Sequence, residues 1–395
     1  MMYWLLLWFG LWYPSPEWGF FGHRTINRLA VSTIPAPLNQ FYKRHAPYVE
    51  EHGVDPDKRR YAIPQEYKRH YIDLDVLEPD PGQPLGRDLD REIRLNMHVF
   101  GITSRGDTIV WVPDETDTLW YHSAQVSCPM SREVLLEGFS ELVREDPHAE
   151  VWEMAPGTQG VFIDSCGGET AINKVLFVDQ FSVHGILPYW LPIMQKRLTR
   201  AFLERDVQAI LRLSADIGHY IGDAHVPLHT TSNYNGQLTG QNGIHGFWES
   251  RIPELFSTDW DLITGPADYI PDFTKAAWTM VRESHDLVTD VLELERSVRD
   301  QLPADRVMCF EDRNTMNVLT YCPGFADAYQ KAMDGMVEKR FREAIHAIGS
   351  AWYTAWIDAG QPDLWKMDPE WSEPAEPVLA EPTPGRTPFG RPHDN

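Results

Sequence analysis

The chain has 395 residues, of which 43% are hydrophobic and 12% aromatic, and this is ample for a full hydrophobic core. Its formal net charge is −23, which speaks against a broad basic surface for nucleic acid. An anionic substrate would therefore have to be held locally, through bound cations rather than through many Lys and Arg side chains.

The N-terminus carries an unbroken apolar run, YWLLLWFGLWY, at residues 3–13. This run is too short to span a bilayer and is typical of the hydrophobic segment of a signal peptide. No Lys or Arg precedes it and no A-x-A site follows it, so a buried N-terminal helix or an imperfect start site stays as the alternative. We predict that residues 1–17 are a leader and that the protein is exported, to the periplasm or the medium. No other stretch is apolar enough for stable membrane insertion.

Helical periodicity begins soon after the sequence Trp18-Gly-Phe-Phe-Gly-His23. Apolar residues recur near a period of 3.6 up to residue 34, and a second helix is predicted over residues 35–52, closed by a glycine. A polar segment follows, in which Asp55 and His70 stand 15 positions apart on either side of a basic stretch.

Residues 101–182 have a different character. The runs DTIVWV, GVFID and KVLFV have the composition of strands and are separated by Gly and Pro, whereas residues 131–145 have helical spacing. We interpret this segment as an insertion of mixed structure that contains short β-strands.

The most informative segment is residues 213–250. His219 and Asp223 stand four residues apart within a helical pattern, so both side chains leave the same helix face. His229 follows the proline that ends this helix, and His245 and Glu249 then repeat the four-residue spacing. Two imidazole–carboxylate pairs and a further histidine within 31 residues predict a metal site, and these ligand types suit zinc.

Helical spacing continues over residues 267–301 and over a long last helix at 325–359. Residues 367–395 are rich in proline and are predicted to be disordered. We therefore expect a mainly α protein, with one large multi-helical domain at residues 18–366 whose ligands project inward from several helices.

These motifs resemble a superfamily of zinc hydrolases. G-D-x-H-x-P-L-H at residues 222–229, followed by His-x-x-x-Glu at 245–249, is similar to the bacterial zinc-dependent phospholipases C and to the single-strand-specific zinc nucleases of the mung bean type. W-G-x-x-G-H at residues 18–23 resembles the N-terminal motif of the same family. The resemblance implies the family's mainly helical fold and a cluster of three zinc ions that hydrolyses phosphodiester bonds.

The resemblance also implies nine ligands and their grouping. Asp55, His70, His219 and Asp223 would hold one zinc, and His229, His245 and Glu249 a second. Trp18, through the α-amino group exposed by cleavage before it, would hold the third together with His23 and a bridging Asp223.

Further roles follow from the same resemblance. Asp55 is expected to orient or deprotonate the attacking water, and Lys58 to face the substrate phosphate. From their aromatic character, Phe21 and Tyr234 are candidates to stack on a nucleic-acid base or to contact the glyceryl and acyl region of a lipid, and packing in the core is the alternative for both. Glu249 is typical of the phospholipases and Trp248 of the nucleases, so single-stranded nucleic acid and phospholipid stay open as substrates.

Two other classes of protein stay open. The first is a non-catalytic zinc-binding α-helical scaffold with a closed metal cluster, and the second is a helical binding protein without metal. Neither the sequence nor the resemblance identifies a protein partner.

Several other side chains receive a structural interpretation. Arg60 and Lys68 are expected to be solvated, and Asp73 to orient His70 as a hydrogen-bond partner. Histidines 184, 225, 285 and 346 are interpreted as structural or exposed. In an exported protein Cys309–Cys322 and Cys128–Cys166 are candidate disulfides, with four unrelated thiols as the equal alternative.

Overall fold

The structure is a computed structural model. It describes residues 18–364 apart from 81, 104–105, 107, 114–117, 123–126, 132–150, 154–171 and 314–315. The predicted leader at 1–17 and the predicted tail at 367–395 lie outside this range. So do the GVFID run, Cys166 and, apart from its first residue, the helix predicted at 131–145.

The described chain is mainly helical, as predicted. It divides into two compact units, one formed by Met1–Pro79 with Ile186–Asn395 and the other by Asp80–Gly185. In chain order the helices are α1 Trp18–Ala30, α2 Leu38–Arg44, α3 Ala46–Glu51, α4 Asp55–Arg59, α5 Leu74–Leu77, α6 Leu89–Leu95, α7 Leu187–Glu204, α8 Val207–Ala224, α9 Ile244–Gly246, α10 Ile252–Phe256, α11 Phe273–His285, α12 Val288–Arg299, α13 Pro323–Ala332 and α14 Met336–Asp358.

Shorter helical turns connect these helices. The 3-10 turns are His52–Val54, Pro64–Arg69, Ser182–His184, Pro227–Thr230, Ser257–Asp259 and Ala304–Arg306, and a π-helical turn covers Phe247–Arg251.

The second unit contains the segment interpreted as an insertion, together with α6. Its strands are β1 His98–Thr103, β2 Thr108–Pro113, β3 Thr118–His122, β4 Ser127–Ser131, β5 Val151–Glu153 and β6 Ile172–Val178. They form one antiparallel sheet in the order β4-β3-β2-β1-β6-β5. Two of the predicted runs, DTIVWV and KVLFV, fall on β2 and β6.

Two predicted helices are divided in the structure. The helix predicted over residues 35–52 is interrupted at His45, just before Pro47, which cannot donate a backbone hydrogen bond. The helix predicted over 325–359 is interrupted at Asp334 and Gly335, whose φ angles are +48° and +78°. A left-handed backbone ends a helix, so α13 and α14 are separate elements.

Helix α8 is the centre of the helical unit and packs against α1, α7 and α14. Its first turn is capped by Asp206, whose carboxylate accepts a hydrogen bond from the Ala209 amide at 3.0 Å. From α14, Trp352 donates its indole N–H to the Ser214 carbonyl at 3.0 Å and stacks on Tyr42 with 4.5 Å between ring centroids. Because helices cover α8 on several sides, the polar residues of its second half are deeply buried.

In the part of the chain that the structure describes, no helix combines the length and the apolar character that crossing a membrane requires.

A hairpin in the helical unit brings two cysteines together. Strands β7 Met308–Arg313 and β8 Met316–Tyr321 pair antiparallel, and Cys322 follows β8 at the start of α13. Cys309 and Cys322 are thiols here, and burial together with the hydrogen bond that the Cys322 thiol makes with Cys309 raises the pKa of the Cys322 thiol to about 11. The predicted Cys309–Cys322 disulfide is thus not formed, although the two thiols are in contact. The side chain of Cys128 is not described.

We expect mild oxidation of the folded protein to join Cys309 and Cys322, because their thiols already touch. The link should raise the free energy of unfolding by about 3 kcal/mol, the value typical for a short closed loop. Thiol titration and thermal unfolding, before and after oxidised glutathione, measure both effects, with Cys309→Ser as the control. Two thiols that stay reactive after oxidation of the folded chain would contradict this expectation.

Candidate metal centre

The site lies within the helical unit, and seven segments supply it. Helix α8 presents His219 and Asp223 one turn apart, and α1 presents His23. The remaining imidazoles and carboxylates come from α4, the residue after the 64–69 turn, the 227–230 turn, α9 and the π-helical turn, and they are Asp57, His70, His229, His245 and Glu249.

Backbone hydrogen bonds lock the segments that carry His70 and His229 together. The His229 ring donates from Nδ1 to the His70 carbonyl at 2.6 Å, and the Ile72 amide donates to the His229 carbonyl at 2.9 Å. The loop before α9 is held by Asn235, whose side-chain oxygen accepts from the amides of Gly243 and His245 at 3.0 and 3.4 Å. Each histidine is therefore placed by backbone contacts and not only by its own side-chain packing.

The first group of ligand atoms consists of His70 Nδ1, His219 Nε2, Asp223 Oδ2 and Asp57 Oδ1. His70 Nδ1 lies 3.0 Å from Asp223 Oδ2 and 3.1 Å from His219 Nε2, and His219 Nε2 lies 3.4 Å from Asp223 Oδ2. Asp57 Oδ1 lies 3.7 Å from both ring nitrogens. Four ligand atoms from four residues thus face one another across a gap of about one cation's diameter.

The second group consists of His229, His245 and Glu249. Glu249 Oε2 lies 2.7 Å from His245 Nε2 and 3.4 Å from His229 Nε2, and the two ring nitrogens are 3.1 Å apart. These three atoms lie close enough together to bind one metal ion, and all three residues are largely buried.

A third group shares its carboxylates with the first two. His23 Nε2 lies 3.4 Å from Asp223 Oδ1 and 3.3 Å from Glu249 Oε1. Asp223 therefore turns one oxygen to the first group and the other to the third, and Glu249 does the same between the second and the third. Among the described residues, three sets could each hold a metal ion: His70 with His219 and Asp223, His229 with His245 and Glu249, and His23 with Asp223 and Glu249. Asp57 forms a further such set with His23 and His219.

The tautomers of two histidines are fixed by backbone acceptors. His219 Nδ1 donates to the Gly53 carbonyl at 2.9 Å, and His229 Nδ1 donates to the His70 carbonyl. Because each neutral ring has one N–H, Nε2 of both histidines carries a lone pair directed at the site. This is the form in which imidazole binds a metal.

Burial shapes the electrostatics of the site. Burial, with the neighbouring His219, lowers the pKa of His70 well below the usual value, and burial also lowers the pKa of His219 to about 3. Burial, with the like charges of Asp57 and Glu249, raises the pKa of Asp223 well above its usual value. Neutral imidazoles beside crowded carboxylates form an electron-rich cavity that a cation would stabilise.

Asp57, and not Asp55, is the carboxylate that the structure places in the first group. The Asp55 carboxylate instead contacts His52 Nδ1 at 2.6 Å and Lys58 Nζ at 3.2 Å. The sequence prediction of Asp55 as a ligand rested on its spacing from His70, and Asp57 lies only two residues further along. No feature of the sequence alone separates these two carboxylates, because both belong to the same short helix α4.

The basic residues beside Asp57 also differ from expectation. Arg60 is only 2% exposed and Lys68 8%, so neither is a solvated charge as predicted. Arg60 Nη1 lies 3.7 Å from Asp57 Oδ1, and burial lowers the pKa of its guanidinium while Asp57 and Asp223 oppose that shift. Lys58 is instead paired with Asp55, and Arg60 is a basic residue that lies beside Asp57.

The remaining predicted site residues lie at different distances from the ligand groups. Tyr234 is half-buried and meets the His245 ring edge-on, with 6.1 Å between centroids. Phe21 is 40% exposed and lies two residues from His23, about 200° around the helix, so it leaves α1 on another side. Helix α1 begins at Trp18, whose side chain is not described, so ligation through its α-amino group stays a prediction.

Four further histidines were interpreted from the sequence as structural or exposed, and three of them make hydrogen bonds. His225 is buried and donates from Nδ1 to the Ile221 carbonyl at 2.7 Å. His285 Nδ1 contacts Thr230, and His346 Nε2 lies 3.0 Å from the Pro266 carbonyl. His184 is half-buried.

Comparison with known protein families finds no matching family model, and comparison with curated protein sequences finds no match either. The case for function therefore rests on the geometry of the site.

Close helix packing at Gly222 gives a first test of this geometry. A Cβ atom at this position would lie 2.9 Å from His23 Nδ1 and 2.7 Å from Ile26 Cδ1. Gly222→Ala should therefore push α1 from α8, lower the free energy of unfolding by about 1–3 kcal/mol and reduce the metal bound per chain. Gly324→Ala is the matched control, since a Cβ there meets nothing within 4 Å. Equal metal content in both variants would contradict the tight His23 packing.

The depressed histidine pKa values give a second test. His219 and His225 have a pKa of about 3 in the folded chain, against about 6.5 when unfolded. Between these values the unfolded chain binds more protons, so the free energy of unfolding must fall as the pH falls. We expect the urea midpoint of EDTA-treated protein to decrease from about pH 7 to about pH 5. The lowered pKa values of His70, His219, His225 and His229 act together in this direction and outweigh the raised pKa of Asp223, which acts in the opposite direction. His219→Asn should weaken this dependence, and a midpoint that rises on acidification would contradict it.

Proposed function

We propose that the chain is a zinc-dependent phosphodiester hydrolase whose ligand groups hold three zinc ions. The observation that carries this proposal is the sharing of Asp223 and Glu249 between neighbouring groups, with one carboxylate oxygen facing each group. A carboxylate that bridges two positions is typical of a polynuclear metal centre. A single structural ion would not require it.

Zinc is favoured by the ligand types and by their separations. Zinc binds histidine nitrogen and carboxylate oxygen at about 2.0–2.2 Å, so adjacent ligands of a tetrahedral ion stand about 3.4 Å apart. The five separations known in the first group run from 3.0 to 3.7 Å. A calcium or magnesium site would instead be expected to consist mainly of oxygen ligands. We therefore assign His70, His219, Asp223 and Asp57 to one ion.

Among the described residues, the other two groups have three protein ligands each, and this favours catalysis over a closed scaffold. His229, His245 and Glu249 supply three protein ligands for the second ion, while His23, Asp223 and Glu249 supply three for the third. Catalytic zinc sites keep a position for water or substrate, whereas structural sites are filled by four protein ligands. The α-amino group of Trp18 would add to the third set if cleavage exposes it.

The chemistry that such ions supply when bound is a water with a pKa near 7 and positive charge opposite the phosphoryl oxygens. Residues of the chain would orient the attacking water and accept its proton. Asp57 is the most accessible carboxylate of the first group, with a side chain 19% exposed. We assign to Asp57 the role that the sequence suggested for Asp55, namely to orient the attacking water and accept its proton.

Tyr234 is the substrate contact that the geometry favours, and Arg60 is a buried cation beside Asp57 that can act on the substrate through its charge. The Arg60 guanidinium cannot lose its charge at neutral pH and lies beside Asp57, so it can stabilise an anionic phosphoryl group. Tyr234 lies against His245 beside the second group, where a base or a headgroup could contact its ring. The substrate class, single-stranded nucleic acid or phospholipid, stays open between these two.

Zinc analysis and hydrolysis assays test the proposal together. We expect three zinc ions per chain in protein whose N-terminus is Trp18, and release of nucleotides from single-stranded DNA or of phosphocholine from lecithin. Asp57→Asn should lower the rate by on the order of 10²–10⁴-fold, as loss of a general base does. Asp55→Asn should cost at least about tenfold less, because the Asp55 carboxylate is paired with His52 and Lys58 and belongs to none of the ligand sets that the described residues form.

Two outcomes would reject the proposal. Protein that binds zinc fully but hydrolyses neither substrate would favour the scaffold, and protein with less than one zinc per chain would favour a metal-free helical binding protein. A larger rate loss in Asp55→Asn than in Asp57→Asn would reject only the role assigned to Asp57, and not the proposed function.

A further inference from the structure

A second group of charged residues lies behind His70, on the side of its ring away from the ligand atoms. At its centre is Glu66, which has no solvent exposure. Arg69 Nη1 donates to Glu66 Oε2 at 2.6 Å, and the Tyr220 hydroxyl donates to Oε1. Arg59 Nη2 approaches the same Oε1 at 3.6 Å. Two guanidinium groups and a phenol thus hold this buried carboxylate in place.

This group is anchored to helix α8. Arg59 also donates to Asp216 at 3.0 Å, and Asp216 and Tyr220 both belong to α8, on the turns that flank His219. A buried carboxylate is stable only when charged and polar partners satisfy its oxygens. The position of Glu66 is therefore fixed relative to the helix that carries His219 and Asp223.

Glu66 faces the far nitrogen of His70. Nδ1 of that ring belongs to the first ligand group, and Nε2 on the other side lies 3.9 Å from Glu66 Oε1. A ring that uses the Nδ1 lone pair for a metal carries its proton on Nε2. That N–H would point at a carboxylate, which is the arrangement that commonly orients metal-binding histidines.

We propose that Glu66 is a positioning residue of the metal centre, which accepts the Nε2–H of His70 and so keeps the Nδ1 lone pair directed at Asp57, His219 and Asp223. This inference rests on the proposed function. The Nε2–Oε1 separation is about 1 Å longer than a hydrogen bond, so a small movement of the ring closes it. His219 and His229 use backbone carbonyls for this purpose, whereas His70 uses the carboxylate.

The variant Glu66→Gln tests the proposal through the tautomer of His70. Arg69 requires an oxygen at the Oε2 position, so the new amide nitrogen must take the Oε1 position and present N–H groups to His70. A donor at this place favours the tautomer with a lone pair on Nε2 and the proton on Nδ1, which cannot bind metal. We expect the His70 proton to move from Nε2 to Nδ1 and the affinity for zinc to fall by about 10–100-fold.

The measurements use the full chain with zinc or cobalt alone as the probe. Competition with a chelator gives the zinc affinity, the visible spectrum of the cobalt-loaded protein reports ligand geometry, and ¹⁵N NMR of the histidine rings in EDTA-treated protein reports the tautomer. Asp216→Asn is the matched control, because it removes one charge from the same group while the Asn side-chain oxygen can still accept the hydrogen bond from Arg59. We expect this control to keep the affinity within about threefold and the His70 tautomer unchanged.

The outcomes separate this inference from the function it rests on. Wild-type protein that binds no zinc would reject the proposed function itself. Zinc-binding wild type with an unchanged Glu66→Gln affinity and tautomer would reject only the role of Glu66. An equal loss in Asp216→Asn would show a general effect of the charged group, and a larger loss in Asp73→Asn would give the role to Asp73. Both results overturn the proposal.

A second variant keeps the test decisive if Glu66→Gln does not fold. Tyr220→Phe removes the hydroxyl that holds Glu66 Oε1 but leaves the ring, which lies edge-on to His70 at 5.3 Å between centroids. We expect a several-fold loss of zinc affinity with the fold intact, as circular dichroism would show. An unchanged affinity in folded Tyr220→Phe would overturn the proposal.

Discussion

The structure depends on the burial of one carboxylate, Asp223, among others of like charge. Asp223 is 1% exposed, lies between imidazoles on two sides and shares its surroundings with Asp57 and Glu249. Taking charged groups of one sign out of water is costly unless opposite charge accompanies them. Arg60 is one such charge, but it contacts Asp57 at the edge of the site. Divalent cations between the ligand groups would supply the rest, and this requirement underlies the functional proposal.

The helices around Asp223 are arranged to make that burial possible. Gly218 and Gly222 lack the side chains that would keep α1 away from α8, and they let Asn27 and His23 approach the α8 backbone. As a result His23 reaches a carboxylate oxygen of the neighbouring helix. The π-helical turn at Phe247–Arg251 widens the helix locally and still leaves His245 and Glu249 on one face. Such turns are frequent at functional sites, where they re-aim a side chain.

Much of this centre could be predicted from the sequence because helical spacing is local. His219 with Asp223, and His245 with Glu249, follow from a four-residue repeat alone. The choice between Asp55 and Asp57 could not, because it depends on how α4 turns against α8, a tertiary contact. The break at Asp334 and Gly335 was missed for a similar reason: apolar periodicity continues across it, and only the left-handed backbone reveals it. The burial of Arg60 and Lys68 was not predicted because it depends on how neighbouring segments pack over these side chains, which a local charge pattern does not show.

The shared carboxylates have a consequence for how the centre would assemble. On the proposed assignment, Asp223 serves the first and third ions and Glu249 the second and third, so the third ion contacts no carboxylate of its own. Binding of the first two ions would fix both carboxylates in the orientation that the third requires, and the ordering cost would then already be met. The ions should therefore load cooperatively, with the position beside His23 filled last. Protonation or loss of either bridging carboxylate would weaken two positions together, which links the stability of the whole centre to these two side chains.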